Sequence, residues 1–315
     1  MCSFISTKEH QVLMSFRYKN LKKSESHFKT HLNEIGRNFP SKLAYVQLAN
    51  GKFRDNGYAD NKYDLILGLM LRDGSVSMNT SRGLSFSCYD PLLLADIAEY
   101  LSSIGLILVP TTTNGEFLVK STTFHECIKS DEKLFFRNHF KKFLYDIGAL
   151  GKYCYEKDIP NCVYSWSNKS VARLIGGLYS SGGHLDFQEY RNPIIGIEMT
   201  SEKLVNQTKA LLKNRFGIFS TQVQSYTKKK NETENYRPMY SFYITNIDDV
   251  MKFLSLIPLV GANRIKAQNI IEYLNTKINR DNGKTLKISG RFRIQSQEEV
   301  GKKRTYEIQV DSETN

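Results

Sequence analysis

The sequence predicts an α+β fold of two tandem, pseudo-twofold αββαββα repeats, forming a saddle of two antiparallel sheets around two central helices. Two short apolar segments, 65–74 and 174–183, each contain an internal glycine and have a polar, glycine-terminated end. Apolar residues on every side of a helix indicate burial, and a glycine lets a partner backbone approach closely. We therefore expect the two segments to pack together, with Asp73 and Gly182 meeting where the helices end.

Regular spacing supports the duplication. Asp73 and Gly182 are 109 residues apart, and Gly105 and Gly217, which end the helices that follow, are 112 apart. Two Lys-Phe-Leu tripeptides are 110 residues apart. Landmarks at nearly one offset predict two copies of a unit of about 100 residues, with the glycine-containing helices on the pseudo-twofold axis.

The first copy continues with two hairpins and two helices. Apolar and polar residues alternate over 76–88, which predicts a hairpin that turns near 80–83. A helix is predicted over 90–105, and a second hairpin turns at the Asn-Gly pair 114–115. The last helix of this copy is predicted to begin at Ser130.

The second copy repeats this order. Alternating residues over 185–199 predict two strands, and a helix capped by Ser201 is expected to end at Gly217. A long hairpin over 218–245 and a helix from Ile247 complete the copy.

These patterns divide the chain into four predicted parts: 1–58, 59–155, 156–276 and 277–315. The first is an accessory segment with helically spaced apolar residues, and it predicts helix followed by extended structure. It is either an arm that contacts DNA or a plain surface layer. The last is a polar extension in which strands are predicted near 286–294 and 306–310.

The charge balance indicates an anionic partner. There are 44 Lys and Arg residues against 32 Asp and Glu, a formal net charge of +12, which in a soluble protein favours nucleic acid. No apolar run is long enough to cross a membrane, and early charges interrupt any export signal. Five cysteines without a CxxC pair favour reduced thiols. We therefore expect an intracellular protein with no membrane partner.

At this point the two apolar segments resemble a known family. Residues 66–74 resemble the nine-residue motif of the LAGLIDADG homing endonucleases and place Asp73 on its catalytic acid. Residues 175–183 resemble the second motif, except that Gly182 stands at the acid position. The resemblance covers roughly residues 60–275, and two motifs at a repeat distance are specific.

A further element resembles the intein-associated (DOD) type of these enzymes. Residues 156–160 contain a K-x-I-P sequence similar to one in the endonuclease domains of inteins, where the lysine belongs to the active centre. The resemblance assigns that role to Lys157, against the alternative of a solvated loop lysine. For the second centre it assigns Lys266.

The chemistry implied by the resemblance is hydrolysis of phosphodiester bonds in double-stranded DNA with Mg²⁺ or another divalent cation. Asp73 and Gly182 occupy the metal positions, although Gly182 offers only a backbone carbonyl, so the second centre is expected to be impaired. Three explanations stay open: a DNA binder that has lost cleavage, a nickase that uses its remaining centre, or a chain altered to trap uncut DNA.

Polar residues on the hairpins are predicted to read DNA bases and grip phosphates from successive major grooves. The candidates are Ser77, Asn79, Arg82, Ser85, Lys120, Gln188, Arg191, Glu198, Gln222, Gln224, Lys228, Lys229, Lys230 and Arg237. Each alone is better explained as a solvated strand residue, whereas the set as a whole, in a basic protein, favours base readout.

The leading interpretation is a monomeric homing endonuclease of a mobile element, with a long, nearly non-palindromic target. A catalytically inactive DNA-binding protein with the same fold and a group I intron maturase are the alternatives. Residues 304–310 are similar to a strand of intein splicing domains, but no N-terminal splicing block and no C-terminal His-Asn pair is recognised. We therefore do not expect this chain to splice proteins by itself.

Overall fold

The computed structural model describes residues 58–76, 83–122, 138–188, 191–227 and 237–276 with their side chains. The backbone alone is described for 11–16, 27–31, 44–47, 128–129, 135–136, 277–280 and 291–293. The chain divides into two compact units, one made of 1–50 and 290–315 and the other of 51–289.

Three strands open the chain: β1 (Gln11–Phe16), β2 (His27–His31) and β3 (Ala44–Gln47). β1 pairs antiparallel with both neighbours, Met14 lying opposite Phe28 on one side and Val46 on the other. The prediction of a helix is therefore wrong for 11–16 and 27–31, whereas β3 agrees with the extended structure predicted after it. Short apolar runs are compatible with the repeat of a helix and with that of a strand, and pairing with neighbouring strands decides in favour of the strand.

In the second unit, the first copy follows the predicted order. Its elements are α1 (Asp64–Asp73), β4 (Gly74–Ser75), β5 (Leu84–Ser87), α2 (Pro91–Ser103), β6 (Leu106–Pro110), β7 (Glu116–Ser121), β8 (Ile128–Lys129), β9 (Phe135–Phe136) and α3 (His139–Asp146). Strands β4-β5-β7-β6 form an antiparallel sheet in that order. The hairpin at 114–115 is confirmed, with Gly115 at φ +75°.

The helix predicted from Ser130 begins nine residues later, at His139. Asn138 is its N-cap, since the side-chain oxygen accepts hydrogen bonds from the backbone N–H groups of Phe140 (2.9 Å) and Lys141 (3.1 Å). Phe135–Phe136 lies in a strand because aromatic residues fit a pleated surface. The capping side chain, rather than the earlier acidic run, fixes the start of the helix.

The second copy contains a 3₁₀ turn (Asn161–Ser165), α4 (Asn168–Gly182), β10 (Gly183–Asp186), β11 (Ile194–Met199), α5 (Glu202–Phe216), β12 (Gln224–Tyr226), β13 (Met239–Ile244), α6 (Ile247–Leu256) and α7 (Ala262–Arg280). Strands β10-β11-β13-β12 form its antiparallel sheet. The predicted ends of α5 are confirmed: Ser201 caps its start, and Gly217 ends it at φ +61°.

A last strand, β14 (Arg291–Arg293), returns to the first unit. It pairs antiparallel with β3, so that Arg291 lies opposite Gln47 and the sheet has the order β14-β3-β1-β2. Residues 48–290 therefore connect two neighbouring strands of one sheet. The strand predicted at 306–310 lies outside the described residues.

Close packing of α1 against α4 forms the centre of the second unit. Ile66, Leu67, Leu174 and Ile175 are fully buried, each stabilising the fold by about 1.5–3 kcal/mol relative to an exposed side chain. A Cβ atom built on Gly68 would lie 3.0 Å from the Leu174 carbonyl carbon and closer still to its oxygen. The predicted α+β fold, with two antiparallel sheets and two central helices, is confirmed.

Among the described residues, none of the helices is long and apolar enough to cross a membrane.

Candidate functional site

A polar cluster at the N-terminal ends of α1 and α4 fixes the register of the two helices. The Asp64 carboxylate is fully buried and accepts hydrogen bonds from Ser170 Oγ (2.8 Å) and the Tyr100 hydroxyl (3.2 Å). Arg173 Nη1 lies 3.8 Å from the same carboxylate. Burial raises the pKa of Asp64, and these partners oppose that shift. Because both helices are held at this end, their other ends meet at a defined level.

At the C-terminal ends, Asp73 and Gly182 come together as expected. Arg72 Nη2 donates a hydrogen bond to the Gly182 carbonyl oxygen (3.1 Å), and the neighbouring Ser181 hydroxyl donates one to the Gly177 carbonyl oxygen (3.3 Å). Burial raises the pKa of Asp73, and Arg72, Ser181 and Lys157 each act to lower it. Asp73 keeps 33% of its side chain exposed, so its carboxylate is accessible to a ligand.

Lys157 reaches this end of α1 from the start of the second copy. Its Nζ donates hydrogen bonds to the carbonyl oxygens of Met70 (3.0 Å) and Gly74 (2.6 Å), and the Met70 carbonyl also accepts one from the Gly74 backbone N–H at the end of the helix. Burial lowers the pKa of Lys157 to about 8, against the attraction of Asp73. The residue is only 4% exposed, so the alternative of a solvated loop lysine is wrong.

Asn263 makes the corresponding contacts at the end of α4. Its Nδ2 donates hydrogen bonds to the carbonyl oxygens of Tyr179 (2.8 Å) and Gly183 (3.2 Å). These acceptors stand 109 residues after Met70 and Gly74. Asn263 is therefore the structural counterpart of Lys157, but it carries no charge.

This placement corrects the assignment of Lys266 as the second lysine. Lys266 lies exposed on α7, three residues beyond Asn263. Adding the repeat offset of 109 to position 157 leads to 266, but the separation of donor and acceptor is 87 residues for Lys157 and Met70 and 84 for Asn263 and Tyr179. The shorter connection moves the counterpart by three residues, a shift that sequence spacing did not reveal.

Arg72, which sequence reasoning did not single out, occupies the space beside Gly182. A Cβ atom built on Gly182 would lie 2.5 Å from the guanidinium carbon of Arg72. The guanidinium also donates through Nη1 to the Glu198 carbonyl oxygen, and its Nε lies 3.9 Å from Asp73 Oδ1. Burial lowers the pKa of Arg72, whereas Asp73 and Glu198 act to raise it. The signal available in the sequence was a basic residue directly before the acid at the end of an apolar segment.

The two helix ends differ in their fit to a divalent cation. Asp73 offers an accessible carboxylate at the end of α1. At the end of α4, the Gly182 carbonyl already accepts a hydrogen bond from Arg72, and among the described residues no acidic side chain replaces the missing one. Within the described part of the chain, no three His, Cys, Asp or Glu side chains form a cluster that could hold a metal ion. Asp73 therefore offers a single carboxylate to a cation, and Gly182 offers only a carbonyl oxygen that is already hydrogen-bonded.

The candidate DNA-contacting residues occupy several positions. Exposed side chains are Lys120 on β7, Gln224 on β12, and Gln188, Arg191, Gln222 and Arg237 in connecting segments, while Ser85 on β5 and Glu198 on β11 are half-buried. Ser77, Asn79, Arg82, Lys228, Lys229 and Lys230 lie outside the described residues.

Some of these side chains already have partners. The Arg237 guanidinium lies over the Tyr155 ring, 3.7 Å from its centre. Glu198 accepts a hydrogen bond from the Tyr226 hydroxyl, and this bond raises the pKa of Tyr226 to about 12. Glu198 also lies directly opposite Ser241, which in turn lies opposite Gln224. The row of Glu198, Ser241 and Gln224 crosses three strands on one face of the second sheet.

Comparison with known proteins agrees with this architecture. Residues 169–258 match a family model described as a LAGLIDADG-like domain. The match begins within α4 and ends after α6, and so lies within the second copy.

Two curated relatives match part of the chain. The replicative DNA helicase DnaB of Rhodothermus marinus is 24% identical over 149 residues, which is 46% of this chain and 15% of the helicase. Protein RecA of Mycobacterium tuberculosis (strain ATCC 25618 / H37Rv) is 30% identical over 135 residues, 40% of this chain and 17% of RecA. The chain thus spans about a sixth of the length of each relative.

Solved structures show distant similarity. Full-length DUF199/WhiA from Thermatoga maritima is 14% identical with a TM-score of 0.44, covering 72% of this chain and 66% of that chain. The meganuclease I-SmaMI bound to uncleaveable DNA is 14% identical with a TM-score of 0.38, covering 71% of this chain and 93% of the other.

Proposed function

We propose that this chain is a double-stranded DNA-binding protein of the LAGLIDADG homing-endonuclease type that nicks one DNA strand at a single active centre. The asymmetry of the paired helix ends carries this proposal. Asp73 and the ammonium group of Lys157 stand at the end of α1, whereas Gly182 and the neutral amide of Asn263 stand at the corresponding positions of α4. Double-strand cleavage needs an equipped centre for each strand, and this chain has one.

Each residue at the end of α1 has a role in strand cleavage. A divalent cation such as Mg²⁺, bound through the Asp73 carboxylate, would supply a water molecule of lowered pKa and stabilise the leaving oxygen. Lys157 holds the last turn of α1 through two carbonyl groups and places positive charge near Asp73. That charge favours ionised Asp73 and offsets negative charge that develops on the phosphate.

The sheets and the charge support DNA as the partner. The formal net charge of +12 attracts a polyanion. Polar side chains such as Gln224 and Lys120 stand exposed on strands of the two sheets, where they can reach base edges in the major groove. Since the two copies differ in sequence, a monomer would bind a long and nearly non-palindromic site.

The topology supports an origin as an intein-associated mobile element. Residues 48–290 connect the adjacent strands β3 and β14, as expected for a unit inserted into another domain. The curated relatives carry different names, DnaB and RecA, and each matches over about a sixth of its length. Matches to a small part of two differently named proteins are expected if the matching part was inserted into each of them.

The proposal is tested by selection followed by cleavage. Immobilised protein is incubated with randomised duplex DNA, and the recovered sequence is cloned into a supercoiled plasmid. With Mg²⁺ we expect open-circular product and little linear DNA. Asp73→Asn should abolish nicking while retaining binding, whereas Asp146→Asn, at the exposed end of α3, should nick like the unmodified protein. Rapid linearisation would refute the single centre.

A catalytically inactive DNA-binding protein is the second candidate. It is favoured by the Arg72 guanidinium near Asp73, because a fixed positive charge competes with a metal ion for the carboxylate. This function predicts that the recovered duplex is bound but that open-circular product is absent at every Mg²⁺ concentration.

A further inference from the structure

A positively charged side chain, the Arg72 guanidinium, fills the space at the end of α4. The Arg72 guanidinium lies beside Gly182, where a carboxylate side chain would otherwise project. It is fixed by two carbonyl acceptors on different elements, Gly182 at the end of α4 and Glu198 on β11. A guanidinium held from two sides presents its remaining N–H groups in a defined direction.

Arg72 retains capacity to bind an anion. Of its five N–H donors, two are used by the carbonyl oxygens, and the contact with Asp73 is a 3.9 Å ion pair rather than a hydrogen bond. The side chain is 18% exposed, so part of it faces solvent. Arginine pairs well with phosphate because its planar fork matches two phosphate oxygens.

A second observation points to the same place. The Tyr179 hydroxyl is fully buried and, among the described residues, has no hydrogen-bond partner. Tyr179 lies one turn before Gly182 on α4; burial raises the pKa of its hydroxyl, and the charge of Arg72 opposes that shift. The hydroxyl is an unsatisfied polar group on the same end of α4 that the Arg72 guanidinium contacts.

We infer that the Arg72 guanidinium binds a DNA backbone phosphate at the end of α4, in the place of a carboxylate-bound metal ion. This inference rests on the proposed function, since it assigns to the impaired half a DNA contact that needs no divalent cation. It also explains why Gly182 and Arg72 occur together: an acid at 182 would meet the guanidinium directly.

The first experiment measures DNA binding without metal. Affinity for the duplex recovered by selection is determined in EDTA at several KCl concentrations for the unmodified protein, Arg72→Ala, Arg72→Lys and Arg264→Ala. Each phosphate contact contributes about 0.9 to the slope of log affinity against log salt, which corresponds to about eightfold in affinity near 0.1 M KCl. In Arg72→Ala, the slope should fall by about 0.9 and the affinity near 0.1 M KCl should fall by about eightfold. Arg72→Lys should retain the slope of the unmodified protein.

Arg264→Ala is the matched control for charge. Arg264 is paired with Asp96 through two hydrogen bonds of 3.0 and 2.9 Å, so its loss should leave the slope unchanged. If Arg72→Ala keeps the slope of the unmodified protein, the inference is overturned. If Arg72→Ala and Arg72→Lys both lose affinity but keep the salt slope of the unmodified protein, Arg72 has a structural role, and the inference is likewise overturned.

The second experiment counts bound ions with Mn²⁺ as the probe, by electron paramagnetic resonance of the DNA complex. The double variant Arg72→Ala with Gly182→Asp should bind one more Mn²⁺ than the unmodified protein. Gly182→Asp alone should gain none, because the new carboxylate pairs with the guanidinium. A gain by the single variant would show that Arg72 does not exclude the ion, and would overturn this part of the inference.

The proposed function fails separately. If the unmodified protein recovers no duplex, DNA binding is refuted and the inference falls with it. If the protein binds with an Arg72-dependent slope but does not nick, only the catalytic proposal fails.

Discussion

Lys157 carries a positive charge into a site where two carbonyl oxygens and one nearby carboxylate are its described partners. Removal from water costs an ammonium group several kcal/mol unless polar partners compensate. Its retention at 4% exposure therefore indicates a purpose that an apolar residue could not serve. The electrostatic role proposed for Lys157 beside Asp73 accounts for the retained charge.

The pH dependence of folding stability follows from this burial. Burial lowers the pKa of Lys157 to about 8, whereas an unfolded lysine has a pKa of about 10.4. Between these values the unfolded state binds more protons, so stability should rise with pH, by at most about 1.4 kcal/mol per unit. Below pH 8 Lys157 is charged in both states, so the free-energy cost of burying its ammonium group is fully present. Lys157→Met should flatten this rise, as measured by urea denaturation from pH 7 to pH 10.

Lys266→Met provides the control, because it makes the same substitution at an exposed position. It should keep the pH dependence of the unmodified protein. An unchanged profile in Lys157→Met would mean that the ammonium group is already well solvated.

At this scale the sequence identified Asp73, Gly182 and Lys157, because each lies in a motif of fixed local pattern. It did not identify Arg72 or Asn263. Their roles depend on contacts across 110 and 84 residues, which local spacing does not encode. A three-residue difference in connection length separates Asn263 from Lys266, the residue that the resemblance assigned.

At the scale of elements, the contact between α1 and α4 depends on direct approach of their backbones. A Cβ atom on Gly68 would meet the Leu174 carbonyl group, and one on Gly177 would lie 2.9 Å from the Leu69 nitrogen. Neither backbone can move without separating the helices. The glycines thus set the distance at which Asp73 and Gly182 face each other.

Gly68→Ala should therefore destabilise the fold by about 3 kcal/mol through overpacking, although alanine favours an isolated helix by about 1 kcal/mol. Gly182→Ala is the comparison variant, since the three atoms nearest to its Cβ belong to the Arg72 side chain rather than to backbone. We expect it to cost much less in urea denaturation. Equal stability of Gly68→Ala and the unmodified protein would contradict direct backbone contact.

Elements were predictable where capping residues and glycines mark their ends. The α5 helix, between Ser201 and Gly217, is an example. The start of α3 was missed because Asn138, its cap, follows an acidic run that also resembles a helix start. The strands of 1–50 were missed because pairing between segments distant in sequence overrode a helix-like spacing.

For the whole molecule, the second unit contains its own core. The described buried apolar residues run from Tyr63 to Leu274, all within 51–289. A fragment of residues 51–289 should therefore fold by itself and unfold cooperatively on heating. Its melting temperature should stay within about 5 °C of that of the full chain, since removing the first unit should change its free energy of unfolding by about 1 kcal/mol or less. Circular dichroism and limited proteolysis measure this. A fragment without a cooperative transition would show that its stability depends on the first unit.

The pairing of β3 with β14 has a consequence for the history of the gene. Because Gln47 and Arg291 are opposite each other in one antiparallel ladder, everything between them occupies the position of a hairpin loop. If the coding sequence for that loop were deleted as one block, a short turn between Gln47 and Arg291 would be enough to keep β3 and β14 paired as a hairpin.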